Sequence, residues 1–338
     1  MGRGGRPHRA PAQGARTLAG RGSTVGAMTE PAPTLGPKGL TEVRSRLLAW
    51  YEQEGGAFPW RDARNPYWAL VAAVCSQQTQ MSRVLPLWER WVRAFPTVHA
   101  AAASTPAAAL RVWADAGYPR RAVHLREACV LCVAGPGGGV PSGEAALLAL
   151  PGVGPFTAAI VRSFGYGQDA AAVDTNVVRL LGRLVHGDLQ PARETPAKEI
   201  AETARWMLPP GSAASWNPAL MEYGAQVCGP RPRCEACVVA ELCAARPRFE
   251  GGEQAEPVRA QARFEGSDRQ WRGRILAVLR AAEAPVRTAL LARELAADAE
   301  QRATVRRLLA DLTSEGLAWQ RDGACGLGAD AADEAGAD

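Results

Sequence analysis

The chain has 338 residues, of which 47% are hydrophobic and 22% are charged, and its formal net charge is +5. This composition predicts a globular protein of two or three domains, and no apolar run reaches the roughly 20 residues that a membrane-spanning helix needs. Residues 1–27 contain five arginines and no acid, so the net charge of the whole chain does not by itself indicate a nucleic-acid partner.

The first 39 residues are rich in Gly, Ala and Arg. They lack the hydrophobic core of a signal peptide, so they predict a disordered basic leader and a cytoplasmic protein. The alternative is a start codon assigned upstream of a true start at Met28. The acidic segment 324–338 is expected to be a disordered tail. The Ala, Arg, Gly and Pro bias of the whole sequence indicates a bacterial source with a GC-rich genome.

Residues 41–245 predict an all-α domain. A helix is expected to begin at an N-cap, Thr41, because apolar residues follow it at helical spacing. Strand patterns are nearly absent, and Pro and Gly divide the rest into short helices. Further helices are predicted at about 66–78, 80–95, 106–116, 119–134, 143–149, 155–165, 175–186, 194–208 and 216–227.

Four of the eight cysteines lie within sixteen residues, in the stretch CGPRPRCEACVVAELC at 228–243. Their spacing is C-x5-C-x2-C-x5-C, given by Cys228, Cys234, Cys237 and Cys243. Four thiolates complete a tetrahedral zinc site or an iron–sulfur site, and spacing alone does not choose between them. Cys129 and Cys132 lie instead on an amphipathic helix, where buried packing is the expected role.

The stretch LLALPGVGPFTAAIV at 147–161 predicts two helices joined by a tight turn. Gly152 and Gly154 allow positive φ and close approach of a ligand. The amides around Val153 and the start of the second helix, near Thr157, are expected to point at an anion such as a DNA phosphate. The alternative is an ordinary hairpin between helices.

Asp174 follows a short apolar run and directly precedes a strongly periodic helix, in AAVDTNVVRLLGRLV. It is expected to cap that helix, which contributes about 1 kcal/mol. Its carboxylate could also serve as a fixed negative charge that faces a developing cation.

Residues 41–245 resemble, in order, the helix-hairpin-helix DNA glycosylases with an iron–sulfur cluster, the endonuclease III and MutY superfamily, and among them MutY-type adenine glycosylases. The segments that support the resemblance are FPWR (58–61), NPYWALVAAVCSQQTQ (65–80), AGYPRRA (116–122), LPGVGPFTAAI (150–160), VDTNVVRLLGR (173–183) and the cysteine loop.

The resemblance implies a function for each of these segments. The cysteines would hold a [4Fe–4S] cluster that shapes a basic loop containing Arg231 and Arg233. Asp174 would be the catalytic aspartate. Gln77, beside Gln78, would enter the duplex when a base is flipped out, and Tyr118 and Arg120 would lie along the DNA-facing groove.

The chain departs from the MutY pattern at several positions. Ala73 stands where these enzymes carry the glutamate that protonates adenine, and residues 63–88 contain no acid. The first cysteine spacing is one residue shorter than usual, and the 8-oxoguanine-reading C-terminal domain looks absent. Phe156, in contrast, fits the MutY-like enzymes, because it stands where endonuclease III-type bifunctional enzymes place a nucleophilic lysine, which predicts base excision without strand cleavage.

After a polar linker at 246–268, residues 269–323 predict three helices and a short turn, similar to a winged helix. This module either binds DNA through its third helix, with Arg302, Arg306 and Arg307 near phosphates, or serves as a packing or partner module.

Three functions remain open from the sequence. The first is a monofunctional MutY-like glycosylase that removes adenine opposite guanine or 8-oxoguanine. The second is a glycosylase for mismatched uracil or thymine, which suits Ala73, and the third is a non-catalytic DNA-binding protein. The expected partner is double-stranded DNA with a mismatch or lesion, bound by a monomer at the bacterial nucleoid.

Overall fold

The structure is a computed structural model that describes residues 1–2, 35–255 and 263–329. Most of the predicted leader, the middle of the predicted linker and the end of the predicted acidic tail lie outside these residues. Within the described residues, no helix is long and apolar enough to cross a membrane.

The described part of residues 35–255 is helical, as the sequence predicts. Two helices continue into π-helical turns, at Val161–Gly165 and Gly182–His186, and the cysteine loop contains 3-10 turns at Cys234–Ala236 and Ala240–Leu242. The α-helices are α1 (Pro37–Glu54), α2 (Pro59–Asp62), α3 (Pro66–Ser76), α4 (Met81–Ala94), α5 (Val98–Ala102), α6 (Pro106–Trp113), α7 (Arg120–Ala134), α8 (Glu144–Leu148), α9 (Pro155–Ile160), α10 (Thr175–Leu181), α11 (Pro191–Glu194), α12 (Ala197–Met207), α13 (Ala213–Gln226) and α14 (Arg246–Glu250).

The first helix begins earlier than the sequence predicts. Its N-cap is Gly36 and Pro37 is its first residue, a position that suits proline because the missing amide has no partner there anyway. The predicted cap, Thr41, lies inside the helix, where its hydroxyl donates to the Pro37 carbonyl at 3.0 Å. The predicted leader therefore ends before residue 37.

Helix α3 lies within the larger hydrophobic core. All seven residues from Ala69 to Cys75 are buried, as expected for a helix that is apolar on every face. It packs against α4, α7, α9 and the π-helical turn after α9. A second core lies around α1, α10, α12 and α13 and includes residues of the cysteine loop.

The C-terminal module has three helices and a small sheet, as predicted for a winged helix. Its elements are α15 (Asp268–Ala281), β1 (Val286–Arg287), α16 (Thr288–Leu295), α17 (Ala299–Ser314), β2 (Ala318–Arg321) and β3 (Ala324–Leu327). The strand order is β1-β3-β2, with both pairs antiparallel. Strand β3 lies in the segment that was predicted to be a disordered tail, so the module extends beyond residue 323. Buried Cys325 and Leu327 anchor this strand to the core.

Candidate active site

The predicted hairpin is formed by α8 and α9. Gly152 has φ +72, and a Cβ there would lie 3.0 Å from the His124 Cβ, so both the backbone and the space require glycine. Gly154 does not take the predicted positive φ. Its φ is −100, because it serves as the N-cap of α9. The amide of the buried Val153 donates to the Leu150 carbonyl at 3.2 Å, which closes the turn.

Gln77 lies across this hairpin. Its side-chain amide donates to the Gly152 carbonyl and to the Thr157 hydroxyl, each at 3.2 Å. Thr157 is only 1% exposed, so its side chain supports Gln77, and the DNA contact predicted here from the sequence concerns the backbone amides near Thr157. Gln77, which is predicted to enter the duplex, is thus held against the hairpin that is predicted to bind a phosphate.

Arg121 fixes the segment that carries Gln77. Its guanidinium donates to the carbonyls of Val74, Cys75 and Gln77 and to the hydroxyl of Thr79 at 3.1 Å. The side chain is buried, and burial lowers the pKa of Arg121. Sequence reasoning pointed to its exposed neighbour Arg120 and missed Arg121. A signal was present, because Arg121 occupies a core position of the α7 apolar stripe.

Four predicted DNA contacts line one cleft of about 1470 Å³, namely Gln77, Gln78, Tyr118 and Arg120. Tyr118 is 49% exposed at the mouth of this cleft. Gln78 and Tyr118 both have left-handed backbones, with φ +52 and +48. Ala114, which lines the same cleft, has φ +52 as well. Strained backbone at non-glycine residues concentrates at functional sites, and here it occurs three times on one cleft.

Asp174 caps α10, as the sequence predicts. Its Oδ1 accepts the amides of Asn176 and Val177 at 2.9 and 2.8 Å. Its Oδ2 accepts the Asn176 side-chain amide at 2.8 Å. The carboxylate is half-buried. Three donors therefore fix the orientation of this group, and a fixed, partly desolvated carboxylate can stabilise a nearby positive charge.

A second layer joins Asp174 to the cysteine loop. Arg179 donates to the Asn176 side-chain carbonyl at 2.8 Å. The same guanidinium donates to the backbone carbonyls of Cys228 and Gly224, at 2.7 and 2.6 Å. Gly224 allows α13 to approach α10 closely, since a Cβ there would lie 2.7 Å from the backbone carbonyl oxygen of Asn176. Neither Asn176 nor Arg179 was predicted from the sequence.

Ala73 is buried on α3, at 2% exposure. Its side chain is a methyl group and has no proton to donate. Phe156 is partly buried and packs against the same core. Ala73 therefore cannot act as a general acid, and Phe156 cannot act as an amine nucleophile.

The four loop cysteines line one cavity together with Arg183. Burial raises the pKa of Cys228, Cys234 and Cys243, that of Cys243 to about 11. Arg183 lies 3.7 Å from the Cys228 sulfur. Four neighbouring, half-buried thiols become thiolates together only if a cation compensates their charge, so this donor set fits a metal centre.

The part of the chain that the structure describes contains no group of three or more His, Cys, Asp or Glu side chains that could hold a metal ion. The four cysteines line a shared cavity. Arg183 fixes the loop around it through hydrogen bonds to the carbonyls of Gly229 and Pro230, at 2.6 and 3.2 Å.

Comparisons with known proteins agree with this arrangement. The family profile described as "HhH-GPD superfamily base excision DNA repair protein" matches residues 71–207. The chain is 41% identical over 195 residues to the adenine DNA glycosylase of Mycolicibacterium smegmatis, covering 56% of this chain and 65% of that protein. It is 39% identical over 212 residues to that of Mycobacterium tuberculosis, covering 62% and 69%. The chain thus spans about two thirds of the length of these relatives.

Solved structures give the same fold. A thermostable thymine-DNA glycosylase superposes with a TM-score of 0.57 at 28% identity, over 62% of this chain and 98% of that one. A non-covalent endonuclease III–DNA complex superposes with a TM-score of 0.53 at 25% identity, over 63% and 98%. The chain belongs to the adenine DNA glycosylase (MutY-type) family of the HhH-GPD superfamily of base excision DNA repair proteins.

Proposed function

We propose that this chain is a monofunctional DNA glycosylase, which removes a mismatched base from double-stranded DNA by hydrolysing the bond between base and sugar. The observation on which this depends is Asp174, a half-buried carboxylate that three hydrogen-bond donors fix at the start of α10. A protein that only binds DNA has no need of such a group. We propose that it acts as a monomer at the bacterial nucleoid.

In the proposed mechanism the hairpin binds a phosphate and Gln77 leaves Gly152 to enter the duplex. The target nucleotide rotates out of the stack towards Asp174. The bond between the sugar carbon and the base nitrogen breaks, and its electron pair leaves with the base. Asp174 stabilises the positive charge that develops on the sugar. A water oxygen then bonds to the sugar carbon and loses a proton, which leaves an abasic site.

We expect no lyase activity, because no lysine of the chain lies where it could attack the sugar. Schiff-base chemistry requires an amine at the sugar carbon. Phe156 occupies the expected position of a nucleophilic lysine, and the chain contains two lysines, Lys38 and Lys198. Both are exposed on other helices. Strand cleavage is therefore not coupled to excision.

Which base the chain removes is a separate question, and the residue at position 73, Ala73, affects the answer. Adenine becomes a good leaving group only when its ring is protonated, and a general acid contributes about 10²–10⁴-fold to such steps. Uracil and thymine leave as anions and need less assistance from an acid. The family favours adenine opposite guanine or 8-oxoguanine, whereas buried Ala73 favours a mismatched pyrimidine as the second candidate.

We propose that Cys228, Cys234, Cys237 and Cys243 hold a [4Fe–4S] cluster. Such a cluster would brace the loop that presents the exposed Arg231 and Arg233 and would anchor the Cys228 carbonyl, which accepts from Arg179. Its role here is structural, and no step of the proposed reaction passes through it.

The experiment that tests the function is an excision assay on duplexes containing A:8-oxoG, A:G, U:G and T:G pairs, with alkali added afterwards to cut at abasic sites. We expect alkali-dependent cleavage at one base and none with Asp174→Asn. Tight binding of these duplexes without cleavage of any would support the non-catalytic alternative.

A further inference from the structure

The cleft beside Gln77 has a second wall, and this wall belongs to the C-terminal module. Helix α15 lines the cleft together with Gln77, Gln78 and Tyr118. Its contribution includes Gly273, Arg274 and Ala277, all of which are exposed. A module that lies outside the family profile's match at residues 71–207 therefore lines the same cleft as the segment that is proposed to enter the duplex.

Packing on α6 fixes the position of this wall. Ile275, Leu276 and Leu279 of α15 are buried in one core with α6. At the other end of the module, Gly328 lies so close to α6 that a Cβ there would come within 2.7 Å of the Ala107 amide nitrogen. The cleft is thus enclosed by two surfaces that share a hydrophobic core.

The cleft is strongly basic. Seven arginines and two acids line it. Three of the arginines belong to the glycosylase wall and four to α15. Of the acids, Glu315 is already paired with Arg272, at 2.9 and 2.6 Å, and Asp115 lies near Arg280. The surplus of positive charge along the cleft favours a polyanion as its ligand.

The shape of α15 suits a phosphodiester backbone. Gly273 and Ala277 form a shallow surface four residues apart, and a Cβ at Gly273 would meet nothing within 4 Å. Arg274 projects beside them with its guanidinium 4.6 Å from the ring centre of Trp271. Small residues let a backbone approach the helix closely, and a flanking arginine can then reach its phosphates.

The third helix of the module, α17, is less suited to this role. Arg307 is paired with Asp268, at 2.9 and 3.0 Å, and with Asp311 at 3.4 Å. None of Arg302, Arg306 and Arg307 is among the residues that line the cleft. DNA contact through this helix was one prediction from the sequence, and the geometry favours the first helix of the module instead.

We propose that α15 binds the phosphate backbone of duplex DNA and holds it in the cleft against the Gln77 segment. The inference rests on the proposed function, since it assumes the same DNA-facing side. It assigns to the C-terminal module the second half of a clamp, which would hold the duplex while a nucleotide is rotated out.

The test uses the full chain and a duplex of about 25 base pairs without a lesion, with Kd measured over a range of salt concentrations. Arg274→Glu combined with Ala277→Glu should weaken binding at least about tenfold, and the slope of log K against log salt should fall by about one for each phosphate that the variant no longer binds. Arg274→Lys should keep most of the affinity. The matched control is Arg306→Glu, at an exposed position of α17. This variant should leave both the Kd and the salt slope unchanged.

An unchanged slope in the α15 variant, or an equal loss in Arg306→Glu, would overturn the proposal. Thermal unfolding of each variant shows that the module is intact. Because binding requires no excision, the two proposals can fail separately. A wild-type protein that excises no base but loses affinity in the α15 variant would contradict only the enzymatic function, and normal excision with unchanged binding would contradict only the clamp.

Discussion

Asn176 donates its side-chain amide to the Oδ2 atom of Asp174 at 2.8 Å, and its backbone amide binds the other carboxylate oxygen at 2.9 Å. One residue therefore fixes both oxygens of the proposed catalytic group. Asn176 is itself oriented by Arg179, which also binds the cysteine loop through the Cys228 carbonyl. The orientation of the carboxylate thus depends on the folding of a loop that lies much further along the chain.

The two roles of Asp174 can be separated by substitution. Asparagine caps helices about as well as aspartate does, so Asp174→Asn should change the free energy of unfolding by less than about 0.5 kcal/mol. The same variant should lose excision by at least about 10²–10³-fold, because the charge that stabilises the sugar cation is gone. Asp174→Ala should lose both, with a cost of about 1 kcal/mol in stability. Urea unfolding and single-turnover excision measure the two effects.

Borohydride trapping tests the monofunctional assignment. Wild-type protein should form no covalent adduct with a substrate duplex, and its product strand should break only after alkali. Phe156→Lys should create an adduct, since it places an amine where related bifunctional enzymes carry one. Efficient trapping of the wild-type protein would mean that Lys38, Lys198 or the amino terminus reaches the sugar, and coupled strand cleavage would then have to be restored to the mechanism.

Arg121 should matter more to stability than its neighbour. Arg121→Met removes the donor that several buried oxygen atoms share, and each acceptor left without a partner costs about 1–3 kcal/mol. We expect a loss of about 2–4 kcal/mol in the free energy of unfolding, measured in urea. Arg120→Met, at an exposed position, should change stability by less than about 0.5 kcal/mol. Equal effects of the two substitutions would contradict the assigned role of Arg121.

Features that depend on neighbouring residues could be predicted from the sequence. The hairpin, the Asp174 cap and the cysteine cluster each follow from a few residues whose chemistry is local. The main helices were recognised from their periodicity. The short helices α2, α5, α11 and α14 were missed, and α14 lies in the segment that was predicted to be a linker. Four or five residues show too little of a helical repeat.

Features that depend on distant residues could not be predicted. Arg121 binds carbonyl groups of residues more than forty positions earlier, and no local pattern specifies those partners. Gly154 was expected to have positive φ because glycine can adopt it, but a glycine that can adopt positive φ need not do so, and here φ is −100. Strand β3 was hidden in a Gly- and Ala-rich segment, where pairing with β1 and β2 overrides weak local preference.

The cysteine loop predicts a coloured protein. Purified protein should be yellow-brown with broad absorbance near about 400 nm and should contain iron and sulfide. Cys234→Ser should lose the colour and weaken DNA binding. Cys132→Ser, a buried cysteine of α7, is the matched control and should keep the iron content. A colourless wild-type protein with one zinc ion per chain would support a metal site at these cysteines but contradict the iron–sulfur cluster.

The proposed function requires that this chain release a base through Asp174 without an acid at position 73, and one set of single-turnover measurements decides whether it does. The same enzyme preparation is assayed on A:8-oxoG and on U:G duplexes, beside Ala73→Glu and Asp174→Asn. We expect weak or undetectable adenine release by the wild-type protein, a rise of about 10²-fold or more with Ala73→Glu, and no release of either base with Asp174→Asn. Rapid adenine release by the wild-type protein that Ala73→Glu leaves unchanged would contradict this expectation, because another residue would then be supplying the proton.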